Sequence, residues 1–489
     1  MRVFKHIVLL LVYGLVFSAF GVLSLYLVQQ QNQPDLEIWH TTELEEEFRA
    51  ASVDEVPDLE AYRQLESRLF QQLHQEIYAG EGAGDQRQFN RFNRGSLSDP
   101  ERQPHNWNRT FELSVERPRG GVLLLHGLSD SPYSLRTLDE LLHAEGFWVV
   151  GLRLPGHGTT PGGLVHARWE DFAAATRIAA RSLHKRVGPD RPFYVVGYSV
   201  GAALAVEYSL GALQGEDLPA AHGLVLLSPA IGVSAVAALA VWQARLAELA
   251  GFEKLAWTTI YPEFDPYKYN SFPVNASDQA YELTQVIAKR LKALDSGSGV
   301  TGFPRILAFQ SAVDATITPS ALIDGLFRRL APADHELVLF DINRHAEAEP
   351  LLVADPETLT QALLNDPRLP FAMTLVTNTS LETWEVSARH RPPFSPAVKD
   401  ELLGLEWPRG VYSLSHVALP FTSDDPLYGT RTASRQDLHL GRIELRGEKG
   451  VLLLPADYLI RLRYNPFFPY LKRRVLEFLG SDTARRSAG

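Results

Sequence analysis

From Gly120 onward the chain alternates short apolar runs with stretches of helical periodicity, and this alternation restricts the available folds more than any other feature. "GGVLLLHG", "FWVVGLRLPGHG", "FYVVGYS", "HGLVLLSPAIG", "FPRILAFQSAVD" and "HELVLFDINR" are the apolar runs. "SLRTLDELLHAEG", "WEDFAAATRIAARSLHKR", "VGAALAVEYSLGAL" and "PSALIDGLFRRL" lie between them with helical spacing. Strands with no polar alternation are buried on both faces, and strands alternating with helices pair in parallel. The expected fold class is therefore α/β: a mostly parallel central sheet flanked by helices. Val233 to Val300 interrupts the pattern with a long, aromatic-rich segment, the place for a cap or lid insertion.

The flanks read differently. Arg2, Lys5 and His6 precede "IVLLLVYGLVFSAFGVLSLYLV", Ile7 to Val28, 22 residues without a charge. At about 1.5 Å per residue this run spans ~33 Å, enough for a bilayer core and longer than the usual apolar stretch of a cleaved signal peptide. The expectation is an N-terminal transmembrane helix, a single-pass anchor. The basic residues before it put the N-terminus in the cytoplasm and the body of the chain outside it, on the periplasmic face in a bacterium. Residues 1–34 are then anchor and linker. Residues 35–106 form an N-terminal helical extension, with an amphipathic helix over Leu59–Tyr78. Residues 107–489 form the main domain, with the cap at about 233–300 and a C-terminal extension at about 368–489. That extension holds strand-like runs ("AMTLVTN", "GVYSLS", "IELRGEKGVLLL") and a terminal helix, "YLKRRVLEFLG".

Composition removes several classes of function. A net charge of −11 without a basic stripe argues against a nucleic-acid partner. With no cysteine there is no disulfide, thiolate metal site or thiol nucleophile. The histidines lack H-x₃-H or H-E-x-x-H spacing, so no metal is expected. The acidic stretches "EIWHTTELEEE" and "PDLEAYRQLE" read as solvated faces.

Ser199 stands in "GYSVG", after the run Phe193–Val196 and at the start of a helical stretch. Gly-x-Ser-x-Gly between strand and helix is a nucleophile elbow, in which glycines at 197 and 201 allow the sharp turn and the hydroxyl projects from it. The helix N-terminus favours negative charge beside the serine.

Together with His126-Gly127, "RLPGHG" (Arg153 to Gly158) and the Asp of "SAVDATITP", this motif resembles the α/β-hydrolase superfamily. The resemblance is to its monoacylglycerol lipase, lysophospholipase and carboxylesterase branch, over roughly Trp107 to His345. It implies the α/β-hydrolase fold, a Ser–Asp–His triad and no cofactor. Asp314 follows a strand where the family places its acid. The backbone N–H groups of Leu128 and Val200 are the implied oxyanion hole.

Two histidines compete for the role of base. His345 ends the next strand, 31 residues beyond Asp314, the family's usual spacing, but lies between Arg344 and the charged "AEAEP". His416, between Ser415 and Val417, has the neutral, half-apolar setting that suits a general base. The setting favours His416, although the chain must then fold back over the site beyond the extra strand "AMTLVTN". The expected activity is a membrane-anchored serine hydrolase cleaving small lipophilic esters, such as monoacylglycerols or lysophospholipids, through an acyl-enzyme. The alternatives are an acyltransferase or amidase using the same triad, or a non-catalytic envelope scaffold.

Overall fold

The structure, a computed structural model, describes residues 32–78, 89–232, 253–346, 351–352, 355–430, 438–441, 455 and 459–487, with isolated positions between 4 and 21. The expected anchor over Ile7–Val28 falls mostly outside these residues, as does the strand-like "IELRGEKGVLLL". Among the described residues no helix is long and apolar enough to cross a membrane.

The described residues form twelve strands, β1 Phe111–Leu113, β2 Gly121–Leu125, β3 Trp148–Leu152, β4 Phe193–Tyr198, β5 Gly223–Leu227, β6 Trp257–Thr259, β7 Phe272–Pro273, β8 Arg305–Ser311, β9 Glu336–Phe340, β10 Ala372–Asn378, β11 Glu385–Arg391 and β12 Lys399–Glu406, with helices between most of those in the middle of the chain. Ten form one sheet in the order β1-β3-β2-β4-β5-β8-β9-β10-β11-β12, and β6 and β7 pair separately. From β3 to β10 every neighbouring pair is parallel. β1, β11 and β12 close the two ends antiparallel.

The apolar runs work because both faces of the sheet are covered. Leu123, Leu125, Val195, Leu224 and Leu226 point into one core with the helices Trp169–Val187 and Val200–Leu213. Val122, Leu124, Val196, Val225 and Leu227 point into the other, with the helix Arg136–Ala144 and the terminal helix Phe468–Ser487. The terminal helix docks through Leu471, Val475 and Leu479, all fully buried and spaced four apart, each contributing about 1.5–3 kcal/mol of apolar burial.

Two expectations need correction. Within 233–300 the helix Val274–Leu294 is no lid: Ala276, Leu283, Ile287 and Leu291 join the first core beside the helix Val200–Leu213. Its apolar stripe extends an existing layer, which leaves residues 253–273 outside that layer, with Tyr269 among them bonded to the loop after β2. "GVYSLS" is no strand either, since β12 ends at Glu406 and residues 411–415 cross the sheet as an irregular segment.

The acidic stretches contain the third correction. Glu47 and Glu66 are buried and grip the fully buried Arg153. Arg153 donates through Nη2 and Nη1 to both Glu47 carboxylate oxygens, at 2.9 and 3.0 Å, and through Nε to Glu66 at 2.8 Å. Glu47 also accepts the Gly156 N–H, at 2.9 Å, so the N-terminal extension clamps the "RLPGHG" loop. A guanidinium can lie in a core only when its donors are matched in this way. Glu47→Ala should therefore lower stability by about 3–5 kcal/mol, read as a shift of the urea midpoint of the full chain.

Asp139 has the opposite problem. It is fully buried on the helix Arg136–Ala144, and among the described residues neither carboxylate oxygen has a hydrogen-bond partner. Burial, aided by Glu140, pushes its carboxyl up to about 8. Unfolding then releases a proton between pH ~4 and ~8, so stability drains away as pH rises through that window and is fully kept below it. Thermal melts across pH 4–8 should show Asp139→Asn gaining on the wild type as pH rises.

Candidate active site

β4 delivers Ser199 at a turn that no ordinary residue sequence could make. Ser199 has φ 54° and ψ −116°, the strained conformation of an elbow. The turn is fixed from three sides: Ser199 N–H donates to Leu227 at 2.9 Å, and its carbonyl accepts from Ala202, Ala203 and Ala230 at 3.0–3.2 Å. Space dictates the flanking glycines. A Cβ on Gly201 would lie 2.1 Å from the Leu125 carbonyl oxygen, and one on Gly197 would lie 2.5 Å from the backbone of Ala202.

The structure brings Ser199, Asp314 and His416 into one hydrogen-bonded chain. His416 Nδ1 lies 2.8 Å from Asp314 Oδ2, and its Nε2 lies 3.0 Å from Ser199 Oγ. A carboxylate can only accept, so Nδ1 carries the proton and Nε2 is left to accept from the serine hydroxyl. The other Asp314 oxygen accepts the N–H groups of Thr316 and Ile317, at 2.9 and 3.0 Å, which satisfies a buried carboxylate.

His345 is placed elsewhere. It lies in the short helical turn Arg344–Ala346, donates from Nδ1 to the Leu381 carbonyl at 2.8 Å, and meets the edge of Trp384 at 4.3 Å. The return of the chain explains the difference. Asn343 holds the carbonyls of Tyr412 and Val411 at 2.7 and 2.8 Å, and the Ser311 hydroxyl holds that of Leu414 at 2.9 Å. These bonds stitch residues 411–414 across the ends of β8 and β9, so His416 arrives above Asp314.

The loop after β2 carries Leu128. Among the described residues neither the Leu128 nor the Val200 amide has a hydrogen-bond partner outside its own element. His126 holds this loop: Nδ1 donates to Gly127 at 2.8 Å, and Nε2 accepts the Leu154 N–H at 3.0 Å. Burial, with the neighbouring His157, pushes its pKa well below the ordinary value, so the ring works as a neutral link. Tyr269, within residues 253–273, adds a second brace. Its N–H donates to Ser129 at 2.8 Å, and its hydroxyl, 3.1 Å from the Gly156 carbonyl, accepts from Thr159 at 2.9 Å. Sequence reading missed Tyr269 and the Arg153 clamp. The one available signal was a buried-type arginine inside "RLPGHG".

A second buried Ser–His contact has the wrong polarity for catalysis. His40 Nδ1 accepts the Glu37 N–H at 2.9 Å, so Nε2 donates to Ser271 Oγ, also at 2.9 Å. Ser271 in turn donates to Tyr261. This histidine cannot take the serine's proton. Among the described residues no group of three His, Asp or Glu side chains could hold a metal ion.

Comparison with known proteins finds likeness over part of the chain. The sequence model of the family described as serine aminopeptidase, S33, matches residues 116–347. A thermostable monoacylglycerol lipase of Bacillus sp. (strain H-257) is 30% identical over 118 residues, 24% of this chain and 44% of that protein. Phospholipase YtpA of Bacillus subtilis (strain 168) is 29% identical over 123 residues, 24% of this chain and 44% of that protein. The chain thus spans less than half the length of these two curated relatives. Among solved structures, a monoacylglycerol lipase of Paleococcus ferrophilus aligns with a TM-score of 0.35 and 21% identity, over 47% of this chain and 87% of that one.

The tight approach of helix to strand yields a direct test. Gly201→Ala must push the elbow off the Leu125 carbonyl, so its thermal midpoint should fall by several degrees and its serine should lose reactivity toward a fluorophosphonate probe.

Proposed function

With residues 116–347 belonging to the S33 family of α/β-hydrolase-fold serine hydrolases, we propose that the chain is a serine ester hydrolase acting on lipid-like carboxylic esters through an acyl-enzyme on Ser199. The observation that carries this reading is the Ser199–His416–Asp314 hydrogen-bond chain, with the proton already on the Asp side of the imidazole.

His416 Nε2 takes the hydroxyl proton as Ser199 Oγ bonds to the ester carbonyl carbon. The Leu128 and Val200 N–H groups receive the negative charge that develops on the carbonyl oxygen. As the carbon–oxygen bond to the leaving alkoxide breaks, His416 returns the proton to that oxygen. A water molecule, deprotonated by the same nitrogen, then attacks the acyl-enzyme and frees the acid. Asp314 stays ionised throughout and holds the tautomer. Monoacylglycerols and lysophospholipids are the substrates this reading favours, as the relatives' names suggest.

The uncharged run Ile7–Val28 supports an N-terminal membrane anchor, with the catalytic body on the far side from the basic N-terminus. A lipophilic ester would then be drawn from the same membrane. The family's description as an aminopeptidase favours a second reading, amide hydrolysis by the same triad. Paired acyl p-nitrophenyl esters and aminoacyl p-nitroanilides separate the two.

Fluorophosphonate labelling of the full chain in detergent tests the assignment. Labelling should vanish in Ser199→Ala, fall by about 10³-fold or more in His416→Ala and Asp314→Asn, and persist in His345→Ala, with each variant's fold checked by circular dichroism. A folded wild type that takes no label would overturn the reading in favour of a non-catalytic scaffold.

A further inference from the structure

A pocket opens beside Val417, the residue after His416, with an empty volume of about 450 Å³ including its mouth. Its described lining is Lys268, Val417, Phe421, Tyr428, Arg461 and Arg463. Three of these six side chains are cations, in a chain whose net charge is −11. They come from segments far apart in sequence and are fastened to the catalytic loops. Lys268 precedes Tyr269, the brace of the loop that carries Leu128. Arg461 Nη2 lies 3.5 Å from the Thr316 hydroxyl, two residues after Asp314. Leu462, between the two arginines, accepts the hydroxyl of Ser415, the neighbour of His416.

The acids around the pocket leave the charge of Lys268 only partly balanced. Asp130 and Asp265 act on Lys268 from a distance, and among the described residues no carboxylate forms an ion pair with it. Asp265 is already engaged, accepting from the Tyr428 hydroxyl at 2.7 Å and from Tyr267 N–H at 3.0 Å. Burial pushes the Asp130 carboxyl up to about 7, which weakens it as a countercharge at neutral pH. Burial also pushes the Lys268 amine down, the cost expected of an ammonium that lacks a close partner. An arriving anion would supply one.

Position says which part of a substrate enters. His416 must reach the leaving oxygen to protonate it, so the leaving alcohol lies against the imidazole, and Val417 is the next residue of the pocket wall. We infer that Lys268, Arg461 and Arg463 form an anion subsite for the leaving alcohol, and that the preferred esters carry a phosphate group on that alcohol. Three cations match a phosphate dianion, and the planar guanidinium forks match its oxygens. This inference rests on the ester-hydrolase reading above and selects, among its substrates, the phosphorylated ones over the neutral ones.

The test compares 1-oleoylglycerol with 1-oleoylglycerol 3-phosphate, using the full chain in detergent. In the wild type kcat/KM should favour the phosphate ester by about tenfold or more, since hydrogen bonds to charged groups are the stronger class. That ratio should fall toward one in Lys268→Met and in the pair Arg461→Gln, Arg463→Gln. Because those variants can also perturb folding, a wild-type measurement stands beside them: glycerol 3-phosphate should inhibit hydrolysis of the neutral ester competitively, and glycerol should not. Equal rates on both esters, or an unchanged ratio in folded variants, would overturn the subsite while leaving the hydrolase reading intact. Inhibition by inorganic phosphate without preference for the phosphate ester would overturn the headgroup assignment and mark a site for the free ion. Absence of Ser199-dependent turnover on either ester would remove the reading and the inference together.

Discussion

Everything at the site depends on carrying one imidazole back across the sheet. Ser199 follows β4 and Asp314 follows β8, parallel strands separated in the sheet only by β5, where the fold places them without special effort. His416 is 102 residues beyond the aspartate it touches. Between them the chain adds β10 to the parallel sheet, turns back through β11 and β12, and only then crosses the strand ends. Two hydrogen bonds, 2.8 and 3.0 Å long, are the product of that detour.

Those bonds cannot themselves hold the detour in place. A hydrogen bond contributes about 1 kcal/mol net, because water offers the same partners to the unfolded chain. The anchoring energy comes from apolar burial farther along: Trp407, Leu414 and Leu419 on the returning segment, and Phe467, Leu471, Val475 and Leu479 in and before the terminal helix, all pack into the second core. Each fully buried leucine contributes about 1.5–3 kcal/mol, so this cluster outweighs the bonds it positions. The polar contacts decide where the imidazole points; the apolar ones decide that the segment is there at all.

This division explains what could be read from the sequence. The elbow at Ser199 and the strand-end position of Asp314 were legible because their signals are local: an apolar strand, a turn and a helix within a dozen residues, with glycines at the elbow where Cβ atoms would strike backbone. The parallel sheet was legible for the same reason, since runs without polar alternation can lie only in a doubly covered sheet. The choice between His345 and His416 was open because it turns on where β10–β12 go, which no local pattern records. Glu47 and Glu66 were misread as solvated for a related reason. Their partner Arg153 is 106 and 87 residues away, and an acidic side chain carries no local mark of burial. The covering segment was overdrawn because the helix Val274–Leu294 has an apolar stripe that a lid and a core layer would share.

The same physics sets the division of labour between the flanks and the middle of the chain. The segment that matches the family model, residues 116–347, contains Ser199, Asp314 and the loop that carries Leu128, but not His416, which completes the hydrogen-bond chain. The N-terminal extension steadies the loop after β3 through a buried guanidinium, and the C-terminal extension brings the imidazole and the arginines beyond it. Neither flank is therefore an appendage in the energetic sense. Remove the returning segment and Ser199 and Asp314 keep their strand-end positions but lose the group that connects them. A serine hydroxyl without a base is nearly inert, whereas the strained elbow that presents it costs stability in either state of the site. That strain at Ser199 makes sense only if the distant histidine is brought home, and the fold spends its last strands and helix doing so.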